Sequence, residues 1–160
     1  ILLGETKEEL GASEYLKVIH NLEVGKLPEL NLDLEKRVQQ CCLEAIKAGY
    51  VHSAHDCAEG GLAVAIAESC MAAQLGAKIE IESDLSALAL LFSETQSRII
   101  LSVATEHVND VAQLAAKKDV PLTVIGQVEP TSLTINDLID IEIKELTTAW
   151  QTTIEEQAAT

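Results

Sequence analysis

The stretch His52-Ser-Ala-His-Asp-Cys-Ala-Glu-Gly-Gly-Leu-Ala-Val-Ala-Ile-Ala-Glu68 sets four ionisable side chains and a glycine pair ahead of a nearly uninterrupted apolar run. Asp56-x-x-Glu59 has the spacing of a capping box, in which the first side chain caps a helix and the fourth reaches back. Residues Leu62 to Ala73 read as a helix that is apolar on every face and is therefore expected inside the domain. On that reading Gly60 and Gly61 fall in its first turn, where each glycine costs roughly 1 kcal/mol relative to alanine. The expected compensation is close approach of another backbone or of a ligand phosphate, because free N–H groups and the helix dipole favour anions at this end.

Outward from this stretch, a chain of 160 residues suits one domain with a real core. It is 48% hydrophobic but only 2% aromatic, so that core must be built from Ala, Leu, Ile and Val. A formal net charge of −15 argues against a nucleic-acid backbone or an anionic membrane surface as partner. A small anionic ligand would need local help from a helix N-terminus, an arginine or a bound cation. The longest apolar stretch, Gly60 to Ala67, is too short to span a bilayer, and no signal peptide is visible. The first residue is Ile1 and the only methionine is Met71, so the chain is expected to have been processed or cut from something longer. Cys41, Cys42, Cys57 and Cys70 form no C-x-x-C pair. They read as small buried hydrophobes in a reducing, cytoplasmic compartment.

In chain order, Leu2-Leu3-Gly4 reads as a strand start, and Ser13 caps a short helix reaching His20. Gly25-Lys-Leu-Pro28 is a connector, so residues 1–30 form a lead-in and 31–160 the domain proper. A helix is expected from Asp33 as N-cap to a stop at Gly49, with Leu34, Val38, Cys41, Cys42, Ala45 and Ile46 at helical spacing. Lys78 to Glu82 alternates as a strand with one wet face, and residues 83–93 form a short helix or loop. Arg98 to Ala104 is a strand, Thr105 caps a helix through Lys118, and Val120 to Val128 is a further strand whose start Pro121 confines to an edge or entry position. Leu133–Ile135 and Ile139–Ile143 flank a turn at Asn136-Asp137. A last helix, Lys144 to Glu156, carries Leu146, Trp150 and Ile154. The fold class is α+β, helices packed on a mixed or antiparallel sheet.

His52-x-x-His55-Asp56 holds metal-capable groups in a short span, but zinc sites draw further Cys or His ligands and few are on offer here. A polar turn with a capping Asp is the favoured alternative. Asp56 and Glu59 suit magnesium, which binds one or two carboxylates plus substrate phosphates; the capping box would use the same two side chains for local reasons, and the spacing does not choose between them. In Phe92-Ser-Glu-Thr-Gln-Ser-Arg98 the alternating Glu94, Gln96 and Arg98 share one side of an extended segment. Arg98 suits phosphate or carboxylate through its planar fork, whereas composition alone favours a solvated loop in which it pairs with Glu94.

His55-Asp-Cys-Ala-Glu-Gly-Gly-Leu-Ala-Val-Ala-Ile-Ala-Glu68 resembles the His-Asp-x-x-Glu-Gly-Gly-Leu-Ala-x-Ala-x-x-Glu signature of phosphoribosylformylglycinamidine synthase, in the last domain of its synthetase subunit. Phe92-Ser-Glu-Thr-Gln-Ser-Arg98 is similar to a second signature of that domain. Leu3-Gly-Glu-Thr6 with Gly11-x-Ser13-Glu-Tyr15 resembles its entry segment, and Val124-Ile-Gly126 its late strand. The motifs come in the family's order and span nearly the whole chain.

The resemblance implies a C-terminal domain like that of aminoimidazole ribonucleotide synthetase, in a superfamily that includes selenophosphate synthetase and thiamine-monophosphate kinase. It also implies an enzyme that uses ATP and magnesium to join glutamine-derived ammonia to formylglycinamide ribonucleotide. Its further domains and glutaminase subunit would be partners, with no counterpart of the glutaminase in this chain. On this basis Gly60, Gly61, Leu62 and Arg98 are candidates for phosphate or nucleotide binding, Asp56 and Glu59 for magnesium, and His55 for a catalytic role. The alternatives are a purely structural domain of that subunit, or the corresponding domain of a related kinase or selenophosphate synthetase.

Overall fold

In a computed structural model, which describes residues 1–158 and side chains as far as Thr152, the chain divides into two compact units. The first holds residues 1–65 and 83–125, the second residues 66–82 and 126–160.

The first unit is built on an antiparallel sheet of β1 (Leu2–Leu3), β2 (Val51–Asp56), β4 (Ile99–Val103) and β5 (Leu122–Thr123), ordered β2-β4-β1-β5. Helix α2 (Leu32–Lys47) and helix α5 (Val108–Lys117) cover it. Val38, Cys41, Cys42 and Ala45 of α2 recur every three or four residues and so share one stripe, which meets Leu3, Leu101, Val111, Ala115 and Val120 in the core. A Thr105–His107 3₁₀ turn leads into α5. The lead-in contributes α1 (Glu14–His20), capped by Ser13 as expected, and α4 (Ala87–Phe92) buries Ala89, Leu90 and Leu91.

The second unit has its own sheet of β3 (Gly76–Ile79), β6 (Gly126–Glu129), β7 (Ser132–Ile135) and β8 (Ile139–Glu142), ordered β6-β3-β7-β8. Only the β3–β7 pair is parallel. Ala77, Ile79, Leu133 and Ile135 are buried while Lys78 between them is exposed, the period of two that a one-sided sheet requires. Helix α6 (Ile143–Ala158) follows β8. Its Leu146 is half-buried and Trp150 exposed, and the expected Ile154 lies outside the described side chains. Helix α3 (Gly61–Ala73) divides between the units at Ala65 and Ile66.

The α+β class holds, with two four-stranded sheets where one was expected. The predicted single strand Val120–Val128 is two strands: β5 pairs with β1, β6 with β3, and Val124-Ile125 lies between. The N-cap of α2 is Asn31, whose Oδ1 accepts from the N–H groups of Asp33 and Leu34, so the helix starts before Asp33. Strand β3 begins two residues earlier than its alternation suggested. Beyond it the Asn136 side chain both accepts from Ile81 N–H and donates to its carbonyl, substituting for a ladder. All four cysteines are buried and free.

Candidate functional site

The largest departure from the sequence reading is at His52 to Asp56, expected as a polar turn. These residues form strand β2, an edge strand pairing only with β4, with one register shift between Val51 and Ser53. Its residues are mostly exposed and lack apolar alternation; the ladder to the β-branched β4 decides their conformation.

The capping box is therefore absent. Asp56 ends the strand, and α3 begins five residues later at Gly61. Between them Cys57 N–H donates to the Arg98 carbonyl (3.0 Å) and Gly61 N–H to the Ala58 carbonyl (3.1 Å). Gly60 and Gly61 adopt φ of 78° and 69°, a left-handed pair that side chains resist. A Cβ on Gly61 would lie 2.6 Å from the Ser93 carbonyl oxygen and 2.9 Å from the Phe92 carbonyl carbon. Of the two compensations expected for these glycines, the close approach of another backbone is present at Gly61, whereas a Cβ on Gly60 would meet the Val64 side chain.

The anion-favouring start of α3 already has a negative group beside it. Glu94 Oε1 accepts from Gly60 N–H (2.9 Å) and from Glu14 N–H (2.8 Å). One carboxylate thus joins the residue before α3 to the first residue of α1, near the positive ends of both helix dipoles. Sequence spacing could not find this role, since the partners lie 34 and 80 residues away.

Arg98 is the clearest correction among the candidates. It is 2% exposed, and its fork is committed within the protein. Nε donates to the Thr95 carbonyl (2.8 Å), Nη1 to Thr6 Oγ1 (2.9 Å) and Nη2 to the Ser93 carbonyl (2.6 Å). Its guanidinium clamps the 93–98 loop to the lead-in and is not offered to a phosphate; nor does the expected hydrogen-bonded pair with Glu94 form, because that carboxylate serves the backbone. Burial lowers the Arg98 pKa, opposed by Cys57, Glu9 and Glu94. Burial likewise pushes the neighbouring Cys57 thiol up to about 11, against the pull of Arg98. Ser97, with φ of 62° and a buried Oγ without a hydrogen-bond partner, marks local strain in the same loop.

The remaining candidates differ in what they offer. Asp56 and Glu59 are exposed carboxylates. His55 is half-buried, with Nδ1 2.8 Å from the Asp56 carbonyl oxygen. Leu62 is fully buried, leaving only its backbone for a ligand. A cleft of about 310 Å³ lies between Glu35 and Gln39 of α2, the Asp56–Ala58 segment and the 96–99 loop. It brings Asp56 and Arg98 to one surface, whereas Glu59, Gly60, Gly61 and Leu62 do not line it. Among the described residues no group of three or more His, Cys, Asp or Glu side chains could hold a metal ion. Asp56 and Glu59 are each of the carboxylate type that magnesium takes together with waters and phosphates, but only Asp56 lines the cleft. No described helix is long and apolar enough to cross a membrane.

Against known proteins, residues 1–136 match the AIR synthase related protein, C-terminal domain. The chain belongs to this family. Within it, the chain is 48% identical over 158 residues to the phosphoribosylformylglycinamidine synthase subunit PurL of Moorella thermoacetica, covering 96% of this chain and 22% of that protein. The PurL subunit of Synechocystis sp. is 44% identical over 162 residues, with 96% and 21% covered. The fold is similar to that of T. maritima PurL complexed with FGAR, at a TM-score of 0.76 and 20% identity, over 91% of this chain and 27% of that one. The chain thus spans about a fifth of the length of the relatives it matches.

Proposed function

We propose that this chain is the C-terminal domain of the synthetase subunit of phosphoribosylformylglycinamidine synthase. The observation that carries this is the 48% identity to a PurL subunit across 96% of the chain. In the complete enzyme ATP, with magnesium, would supply the phosphoryl group that activates the formamide oxygen of formylglycinamide ribonucleotide. Ammonia from glutamine, released by the glutaminase subunit, then displaces phosphate to give the amidine. Stabilising such a step is mostly a matter of positioning and charge. The setting would be cytoplasmic, with residues 1–30 as lead-in and 31–160 as the domain.

Within this reading Asp56 and Glu59 are the residues free to meet magnesium, since both are exposed. Gly60, Gly61 and Leu62 would let a phosphate approach the backbone closely, but the Gly60 and Gly61 N–H groups are already donated to the Glu94 carboxylate and the Ala58 carbonyl, which limits how much anionic charge the turn accepts. Arg98 would act by holding the 93–98 loop, and His55 stands at the strand end beside Asp56. The chain alone would not turn over, because it accounts for about a fifth of the relatives' length.

The test is made in the full-length subunit with its glutaminase. Asp56→Asn and Glu59→Gln should lower kcat by about a hundredfold and raise the magnesium requirement, without moving the unfolding midpoint. A purely structural domain is the second reading. It is favoured by the Leu91–Ser93 backbone against Gly61 and by the internal bonding of Arg98. Unchanged turnover of both variants at every magnesium concentration would select it. Amidine formation by the 160-residue chain alone would overturn both.

A further inference from the structure

Residues 18–32 carry Val18, Ile19, Leu22, Val24, Leu27, Leu30 and Leu32, exposed by 71, 62, 45, 53, 70, 53 and 71%. Helix α1 buries none of its residues. Yet the segment is held in a defined path. Ala12 N–H donates to the Val24 carbonyl, Glu29 N–H to Glu9 Oε1, and a Cβ on Gly11 would lie 2.1 Å from the Lys26 carbonyl oxygen. Asn21, in the left-handed conformation, closes α1 through bonds to the Leu16 and Lys17 carbonyls. Polar and glycine contacts thus fix the backbone, while the apolar side chains that would normally supply the packing point away from this chain. Such a density of exposed aliphatic side chains marks an interaction face.

We propose that residues 18–32 form the seat on which another part of the same full-length polypeptide packs. This rests on the reading of the chain as one portion of the PurL subunit. That reading supplies the occupant: relatives of this chain are more than four times its length, so about four-fifths of the polypeptide lies outside it. A covalently linked apolar surface is present at high effective concentration. It keeps these side chains covered permanently, as a transient partner would not. The charged positions interspersed along the segment are of both signs, Glu23, Lys26 and Glu29, so an apolar contact with a mixed rim fits better than a strongly basic partner.

The experiment uses the purified full-length synthetase subunit without its glutaminase, in single variants Val18→Cys, Ile19→Cys and Leu27→Cys. Maleimide labelling at each introduced position is followed by peptide mass spectrometry, in native buffer and in guanidinium. The expected result is labelling roughly tenfold or more slower in the native state at all three positions, independent of protein concentration. Native labelling as fast as in guanidinium overturns the proposal, and so does protection that disappears on dilution, which would make the occupant a second copy. If the wild-type subunit with its glutaminase shows no amidine synthesis, the functional reading fails whatever the labelling; full activity with rapid labelling sinks the seat alone.

Discussion

Two carbonyl oxygens and a hydroxyl converge on the Arg98 fork, and nothing in the local sequence announces them. Removing the fork would strand the Ser93 and Thr95 carbonyls in a buried place. Arg98→Met should therefore lower the unfolding free energy by about 3 kcal/mol or more, read from a denaturant titration. Retained stability would return Arg98 to the ligand-binding candidates. The glycines allow a paired comparison. Gly61 and Gly49 both have left-handed φ, 69° and 79°, but a Cβ at Gly49 meets nothing within 4 Å. Gly49→Ala should cost only the conformational penalty of about 1–2 kcal/mol, and Gly61→Ala a further 1–3 kcal/mol for the overlap with Ser93. Equal costs would mean that the 91–93 backbone yields.

Among the elements, α1 and the start of α3 depend on one carboxylate. Glu94→Ala should destabilise by about 2 kcal/mol, leaving two backbone N–H groups without their acceptor. Glu94→Gln keeps an oxygen there and gives up only the charge at two dipole ends, about 0.3–1 kcal/mol. Thermal unfolding of the two variants checks this order, and the reverse order would show that charge rather than hydrogen bonding matters at this junction. Strand β2 makes the same point from the backbone side. His52-Ser-Ala-His-Asp56 has no strand pattern of its own, but its ladder to Ile99–Val103 satisfies its backbone groups and carries His55 and Asp56 to the sheet edge.

At the scale of the whole molecule, the core sets a pH response. Burial raises the Cys57 and Cys70 thiols from an ordinary 9.0 to about 11. The unfolded chain ionises first, so this contribution is fully present below pH 9 and is lost as pH rises from 9 to about 11. Denaturant midpoints measured across that window should fall, and the Cys57→Ala, Cys70→Ala double variant should show a shallower fall. The same burial predicts slow alkylation of both thiols in the native protein at pH 8.

The α2 stripe from Val38 to Ala45, the Ser13 cap, the β7–β8 turn at Asn136-Asp137 and the burial of Leu62, Ala63, Ala65, Ile66 and Cys70 in α3 were legible in the sequence, because each depends on contacts within a few residues or on the period of one element. Ile46 of the stripe and Ala72 and Ala73 at the end of α3 are exposed against that pattern. The glycine pair was legible as a place needing close approach. Which backbone approaches it, which carboxylate caps it, that Arg98 is committed internally and that Val120–Val128 divides between two sheets were decided only by the tertiary structure. Apart from the bonds of Arg98 to the nearby Ser93 and Thr95 carbonyls, these contacts join residues tens of positions apart, and their geometry follows from how the loops meet, which no local spacing encodes.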